Sequence, residues 1–264
     1  MMEQLLRRQV DAGVKAVVIT GTTGESSTLS DDEKLELFWR SKAYVKDGCK
    51  VIAGTGSNNT AHSLHLSKEA QDAGVDGLLL VSPYYNKANA EGLVAHYMTI
   101  AHGVSLPVII YNVPGRTGVD IPVSVYERLS KIPNIVGVKE AGGNITKVIR
   151  TINQCPDDFS VWSGNDDQIV PIISVGGAGV ISVLSNICPQ ETVAMTDAAL
   201  NGDYKKAAAL QRRLMPLIDL LFSDVNPIPV KAVLQEIGYD CGGCRLPLTG
   251  PNKETKEKIR QMFL

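Results

Sequence analysis

Short runs of apolar, often β-branched residues recur along the chain at Ala16–Thr20, Val51–Gly54, Gly77–Val81, Pro107–Tyr111, Ile135–Lys139, Phe159–Trp162 and Gly179–Val183. Each run is continuously apolar rather than alternating, which predicts strands covered on both faces, as in a parallel sheet sheathed by helices. Between them, helical spacing with charged faces appears over Ser30–Val45, Thr60–Asp72, Ala90–His102, Pro122–Lys131 and Ile145–Gln154. Ser30 followed by Asp31-Asp32-Glu33 has capping-box spacing, with acidic residues set to meet the helix dipole, and Asn144 is placed to cap the helix opening at Ile145. The pattern is a βα repeat. A doubly wound sheet also satisfies it, but seven strands at close, regular spacing favour an α/β TIM-type (β/α) barrel, whose catalytic groups sit at strand C-termini. From Pro189 onward the pattern turns helical, over Asp203–Leu221 and Ile228–Ile237, and ends in a Gly/Cys-rich turn and a charged helix. The expected organisation is a barrel over residues 1–202 and a small helical extension over residues 203–264.

The predicted strand ends carry the polar chemistry. Lys139 closes an apolar run, so its amine is expected in the barrel mouth, where desolvation favours the neutral nucleophile. The plainer alternative is a snorkelling lysine paired with Glu140. Tyr111 ends another strand, where a phenol either relays protons or is merely a hydrogen-bonded core residue. Gly21-Thr22-Thr23-Gly24 is suited to cradling a carboxylate but reads equally as a βα turn.

Composition narrows the field. With 44% apolar residues the chain buries a large core, and 26 basic against 28 acidic residues leave a formal charge of -2, which argues against nucleic-acid or anionic-lipid partners. No apolar run approaches the ~18 residues of a membrane span, and the N-terminal residues lack a signal peptide's apolar segment, so a cytoplasmic location is expected. Five cysteines make no disulfide framework. Cys241-Gly242-Gly243-Cys244 has redox or zinc spacing without a second ligand pair, so no metal site is assigned. The glycine runs lack the lysine of a P-loop and the third glycine of a dinucleotide fingerprint, which disfavours a nucleotide cofactor. All four histidines fall on predicted helices away from the strand ends, which suggests surface positions.

Together, Gly21-Thr22-Thr23-Gly24-Glu25-Ser26, Ser82-Pro83-Tyr84-Tyr85-Asn86, Tyr111-Asn112-Val113-Pro114-Gly115-Arg116-Thr117, Gly137-Val138-Lys139-Glu140, Ser163-Gly164-Asn165-Asp166 and Arg245-Leu246-Pro247-Leu248-Thr249 resemble the dihydrodipicolinate synthase family of the N-acetylneuraminate lyase superfamily. The resemblance runs in order from about Glu3 to the C-terminus. It implies a cofactor-free condensation of pyruvate with aspartate semialdehyde, serving lysine and diaminopimelate biosynthesis. By that resemblance Lys139 forms the imine, Thr23 holds the pyruvate carboxylate, and Tyr111 relays protons through Thr22 to Tyr85 of a neighbouring subunit, so a homo-oligomer, dimer or tetramer, is expected. Gly164 and Ile181 match positions whose backbone lines the pyruvate pocket. Arg116 matches the residue that engages the aldehyde's carboxylate, for which a planar guanidinium is suited. Sialic acid lyases share the lysine and tyrosine but generally lack that arginine. An aldolase for keto-sugar acids or hydroxy-oxoglutarate remains the alternative, as does an inactive truncated homologue.

Two departures from the family pattern carry expectations. An N-terminal strand of the Val-Thr-Pro-Phe type is not found, so the barrel is expected to lack its first strand, to expose edges at Ala16–Thr20 and Gly179–Val183, and to be poorly stable. At the family's lysine-binding interface site, Asn58 and Tyr84 match, but His62 replaces a glutamate, and Asp31 and Lys34 replace histidines. Weak lysine inhibition is the expectation.

Overall fold

The computed structural model describes residues 1–45 and 48–263. The chain opens with α1 (Met2–Asp11) and then alternates strand and helix: β1 (Ala16–Ile19), α2 (Asp31–Tyr44), β2 (Lys50–Gly54), α3 (Thr60–Asp72), β3 (Gly77–Val81) and α4 (Ala90–His102). The alternation continues through β4 (Val108–Asn112), α5 (Pro114–Thr117), α6 (Val123–Leu129), β5 (Ile135–Glu140), α7 (Ile145–Gln154), β6 (Ser160–Ser163), α8 (Ile169–Ser174) and β7 (Gly179–Val180). Four helices follow, α9 (Pro189–Leu200), α10 (Tyr204–Leu221), α11 (Ile228–Glu236) and α12 (Lys253–Phe263). The strands form one parallel sheet in sequence order. The predicted caps form: the Ser30 hydroxyl accepts from Glu33 N while Glu33 accepts from Ser30 N, and Asn144 Oδ1 accepts from Lys147 N.

Strand periodicity separates two cores. Leu78, Leu80, Val108, Ile110 and Val138 pack on Phe38, Leu66, Tyr97 and Tyr126 of the surrounding helices. The alternate residues Leu79, Ile109 and Tyr111 form a separate cluster without helical members, packed with the partly buried Val18, Ile52, Val136, Trp162 and Ile181. That second set lines the inside of the curled sheet. A third core joins α8 to the C-terminal helices, with Ile169, Leu184, Met195, Leu214, Leu221 and Val233 at its centre. Among the described residues no helix is long and apolar enough to cross a membrane.

Among the described residues β1 pairs with β2 alone and β7 with β6 alone. The segments flanking these two edge strands are tied together: Arg8 of α1 donates to Asn186 O and Ile187 O, beyond β7, at 3.1 and 3.0 Å, and Gln9 donates to Ser185 O at 2.8 Å. β7 spans two residues rather than the five expected, since Ile181 beyond it keeps one bond, Ile181 N to Ser163 O at 2.9 Å.

The surface expectation for the histidines fails at His96, which is 4% exposed because its face of α4 is covered by α3 and α6. Its Nδ1 shares a 2.9 Å hydrogen bond with Thr60 Oγ1, and burial pushes its pKa from 6.5 down to about 4. The folded protein therefore keeps His96 neutral where the unfolded chain binds a proton. That contribution is complete above about pH 6.5 and is lost as the pH falls toward 4, amounting to about 2 kcal/mol at pH 5. His96→Gln, neutral throughout, should lose about 2 kcal/mol less stability than the parent between about pH 7.5 and pH 5 in urea titrations. Equal losses in both proteins would refute this.

Candidate active site

The position of Lys139 follows from one extra residue in β5. Val108 pairs with Ile135 but Ile109 pairs with Gly137, so Val136 is a bulge. Ile135 packs against the helices and Val136 points inward. Without the bulge, alternation would turn Lys139 out toward the helices; with it, Lys139 falls opposite Tyr111 on the inner face. Gly137 permits this, with φ at 157° and no room for a side chain: a Cβ would lie 2.1 Å from Ser160 O and 2.7 Å from the Trp162 ring.

Lys139 Nζ sits 4.4 Å from the centroid of the Tyr111 ring, close enough for a cation–π contact. The alternative pairing with Glu140 does not occur. Glu140 is buried on the opposite face, where it accepts from Asn112 Nδ2 at 2.8 Å, Gly142 N at 2.7 Å and Tyr126 Oη at 3.2 Å, and pairs with Lys147 at 3.4 Å. Asn112 follows Tyr111 and Glu140 follows Lys139, so their bond clamps the two strand ends that carry the inner pair. Gly164 lies against the lysine: a Cβ there would approach Lys139 Cε to 3.1 Å, so a bare backbone flanks the amine. Ile181 joins the same inner cluster as Tyr111.

After β1 the chain folds into a tight turn, with Gly24 N donating to Gly21 O at 3.0 Å and Glu25 N to Thr22 O at 3.1 Å. The turn sets Thr22 at a cavity of ≈ 170 Å³, whose walls include Glu25, Arg116, Asn226 and Leu248. That volume lies below the several hundred Å³ of drug-sized pockets, and neither Lys139 nor Tyr111 is among its lining residues. Arg116, in α5, donates to Asn226 O at 3.1 Å rather than forming a surface ion pair. Glu25 is drawn up by burial, but bonds from Lys231 at 2.6 Å and Arg245 N at 2.8 Å outweigh that and hold its carboxyl below the ordinary range. A larger groove of ≈ 320 Å³ beside α10 and α12 contains none of these groups.

Family model and relatives agree. The model of the dihydrodipicolinate synthetase family matches residues 1–263. The chain belongs to this family. It is 48% identical to the 4-hydroxy-tetrahydrodipicolinate synthase of Caldicellulosiruptor saccharolyticus, over 99% of this chain and 90% of that protein. It superposes with TM-score 0.96 and 40% identity on the chloride-inhibited dihydrodipicolinate synthase of Acinetobacter baumannii complexed with pyruvate, covering 98% of this chain and 89% of that one. The enzyme of the same family from Cyanidioschyzon merolae, with lysine bound, gives TM-score 0.95 and 39% identity over 98% of this chain and 88% of that one.

Within this family member the remaining sequence-derived residues fall into two groups. Tyr85 stands apart from Lys139 and Tyr111: it is 88% exposed and held at φ 72°, in the left-handed region that a non-glycine residue rarely occupies. Asn58 and His62 lie at the start of α3, where Asn86 Nδ2 donates to Asn58 O at 3.0 Å and His62 Nε2 meets Asp31 Oδ2 at 2.7 Å, while Tyr84 lies in the loop after β3, its carbonyl accepting from Asn86 N at 2.9 Å. Burial draws the Asp31 carboxyl up, but bonds from His62 and Lys34 hold it below its ordinary value. Two residues carried no assignment before the structure. Asp166 is fully buried, with Oδ2 accepting from Val183 N and Leu184 N at 3.0 and 2.8 Å and burial pushing its pKa up. Asn226 contacts both Thr23 and Arg116. Among the described residues no group of three or more His, Cys, Asp or Glu side chains is arranged for a metal ion. Cys241 and Cys244 are free thiols whose pKa values burial raises.

Proposed function

We propose that this family member condenses pyruvate with aspartate semialdehyde as a class I, imine-forming lyase. The observation that carries the reading is an inward-facing lysine amine over the ring of an in-register tyrosine, at the end of the sheet where the threonine turn also lies. The Lys139 amine adds to the pyruvate ketone and water leaves, giving an imine. Loss of a methyl proton gives the enamine, which attacks the aldehyde carbon. Tyr111 shuttles the protons, with Thr22 as the next group. Thr23 and the backbone at Gly164 and Ile181 hold the pyruvate end, and Arg116 takes the second carboxylate. Purified protein should consume both substrates together and turn over keto-sugar acids at least about 100-fold more slowly, a margin set by the buried polar partner each acceptor needs. A reversed preference rejects the assignment.

The exposed, conformationally strained Tyr85 supports a homo-oligomer in which this residue enters a neighbouring copy's site. The facing edges of β1 and β7, with partly exposed Val18 and Ile181 behind them, support a barrel whose eighth strand position lies in that seam. We read residues 1–202 as the barrel and 203–264 as its extension, with Leu264 outside the described residues. Beside Asn58 and His62, the carboxylate of Asp31 is already shared by Lys34 at 3.2 Å and His62. Lysine should inhibit weakly or not at all in steady-state assays, and inhibition at submillimolar lysine would contradict this.

A further inference from the structure

We propose that Asn226, in the loop between α10 and α11, is a positioning residue that sets the hydroxyl proton of Thr23 and anchors Arg116, so that the C-terminal helices complete both carboxylate subsites. The inference rests on the roles given above to Thr23 and Arg116. Asn226 is 6% exposed, and its Nδ2 donates to Thr23 Oγ1 at 2.9 Å. The reverse contact, Thr23 Oγ1 to Asn226 Oδ1, is long at 3.4 Å. A hydroxyl has one proton and two acceptor sites. The short bond fills an acceptor site, and the proton is left on a weak partner. An incoming carboxylate therefore takes that proton at little loss, and the amide keeps the hydroxyl aimed while it does so.

The same residue's carbonyl accepts from Arg116 Nη2 at 3.1 Å, leaving the guanidinium's other donors for a second carboxylate. Asn226 itself is fixed. Lys231, one turn into α11, donates to Glu25 Oε2 and to Gly243 O, both at 2.6 Å, and Arg245 pairs with Glu33 at 2.6 Å while its N–H bonds Glu25. The turn carrying Thr23 is thus tied to the C-terminal segment at both Thr23 and Glu25, across 203 and 206 positions of sequence.

The test is the pyruvate concentration giving half-maximal borohydride trapping, which needs no second substrate, with thermal unfolding as a check on folding. Asn226→Ala should raise that concentration about 5- to 10-fold, the effect of one neutral hydrogen bond, while the KM for the aldehyde moves less, because the backbone carbonyl on Arg116 remains. Thr23→Val should raise it comparably, and the double variant Asn226→Ala, Thr23→Val should add nothing further, since Asn226 acts through that hydroxyl. Asn226→Asp, nearly isosteric, should raise it more than Asn226→Ala near neutral pH, with the defect easing as acid protonates the new carboxyl; Asn226→Ala should show no such recovery. If the single effects simply add, or if Thr23→Val impairs trapping while both Asn226 variants do not, the inference is overturned. If Thr23→Val itself changes nothing, the role given to Thr23 fails, and the inference falls with it for that separate reason. Should Asn226→Ala not fold, the Asn226→Asp pH series decides alone.

Discussion

Lys139→Ala should eliminate the borohydride-stable pyruvate adduct and lower kcat by at least about 10³-fold, while leaving the fold intact. The stability expectation follows from what Lys139 touches. It is half-buried, between the Tyr111 ring at 4.4 Å and the bare backbone at Gly164, so its truncation costs on the order of 1 kcal/mol. Lys147 is the instructive control. It lies at the same end of the sheet but on the outer face, paired with Asp120 and with Glu140, which is 3% exposed. Lys147→Ala should keep the adduct yet destabilise the protein by roughly 3–5 kcal/mol, because it strands a buried carboxylate. Intact mass after trapping separates the two. An adduct that survives Lys139→Ala, or that disappears in folded Lys147→Ala, would move the imine to another amine.

The contrast between these lysines also shows what a sequence can and cannot reveal. That Lys139 lies near a strand end was legible, because Ile135–Val138 is continuously apolar and the first polar residue after such a run marks the approach of the strand end; β5 runs one residue further, to Glu140. Which face it takes was not, since the answer depends on a single bulged residue at Val136, and bulges leave only a glycine as their trace. Helices with polar caps and clear spacing were placed to the residue, at Thr60–Asp72, Ala90–His102 and Ile145–Gln154. The short helices α5 and α8 were not anticipated, for four and six residues give too little periodicity to detect. His96 was misjudged because burial of one helix face depends on neighbouring helices rather than on its own spacing. Asn226 was invisible for the same reason on a longer scale: its partner is 203 positions away, and only the packing of α10 and α11 brings the two together. The local turn Gly21–Glu25, by contrast, announced itself through composition alone.

Arg116→Leu should raise the KM for aspartate semialdehyde about 10- to 150-fold and leave pyruvate trapping within about 2-fold of the parent. A charged hydrogen-bond pair contributes roughly 1.5–3 kcal/mol, and a guanidinium presenting two parallel donors to a carboxylate lies toward the upper end. Arg116 is exposed and its side chain makes, among the described residues, a single hydrogen bond, to Asn226 O, so the substitution should hardly change the unfolding temperature. Arg116→Lys keeps the charge but loses the fork, and its KM should fall between the two. The decisive comparison uses an uncharged aldehyde of similar size: it has no carboxylate to lose, so parent and Arg116→Leu should handle it alike. If both aldehydes suffer equally, Arg116 is shaping the cavity rather than reading the acceptor's charge. The preference for an acidic aldehyde must then be sought among the other walls of the same cavity, where Thr28 and the segment at Pro247–Leu248 remain.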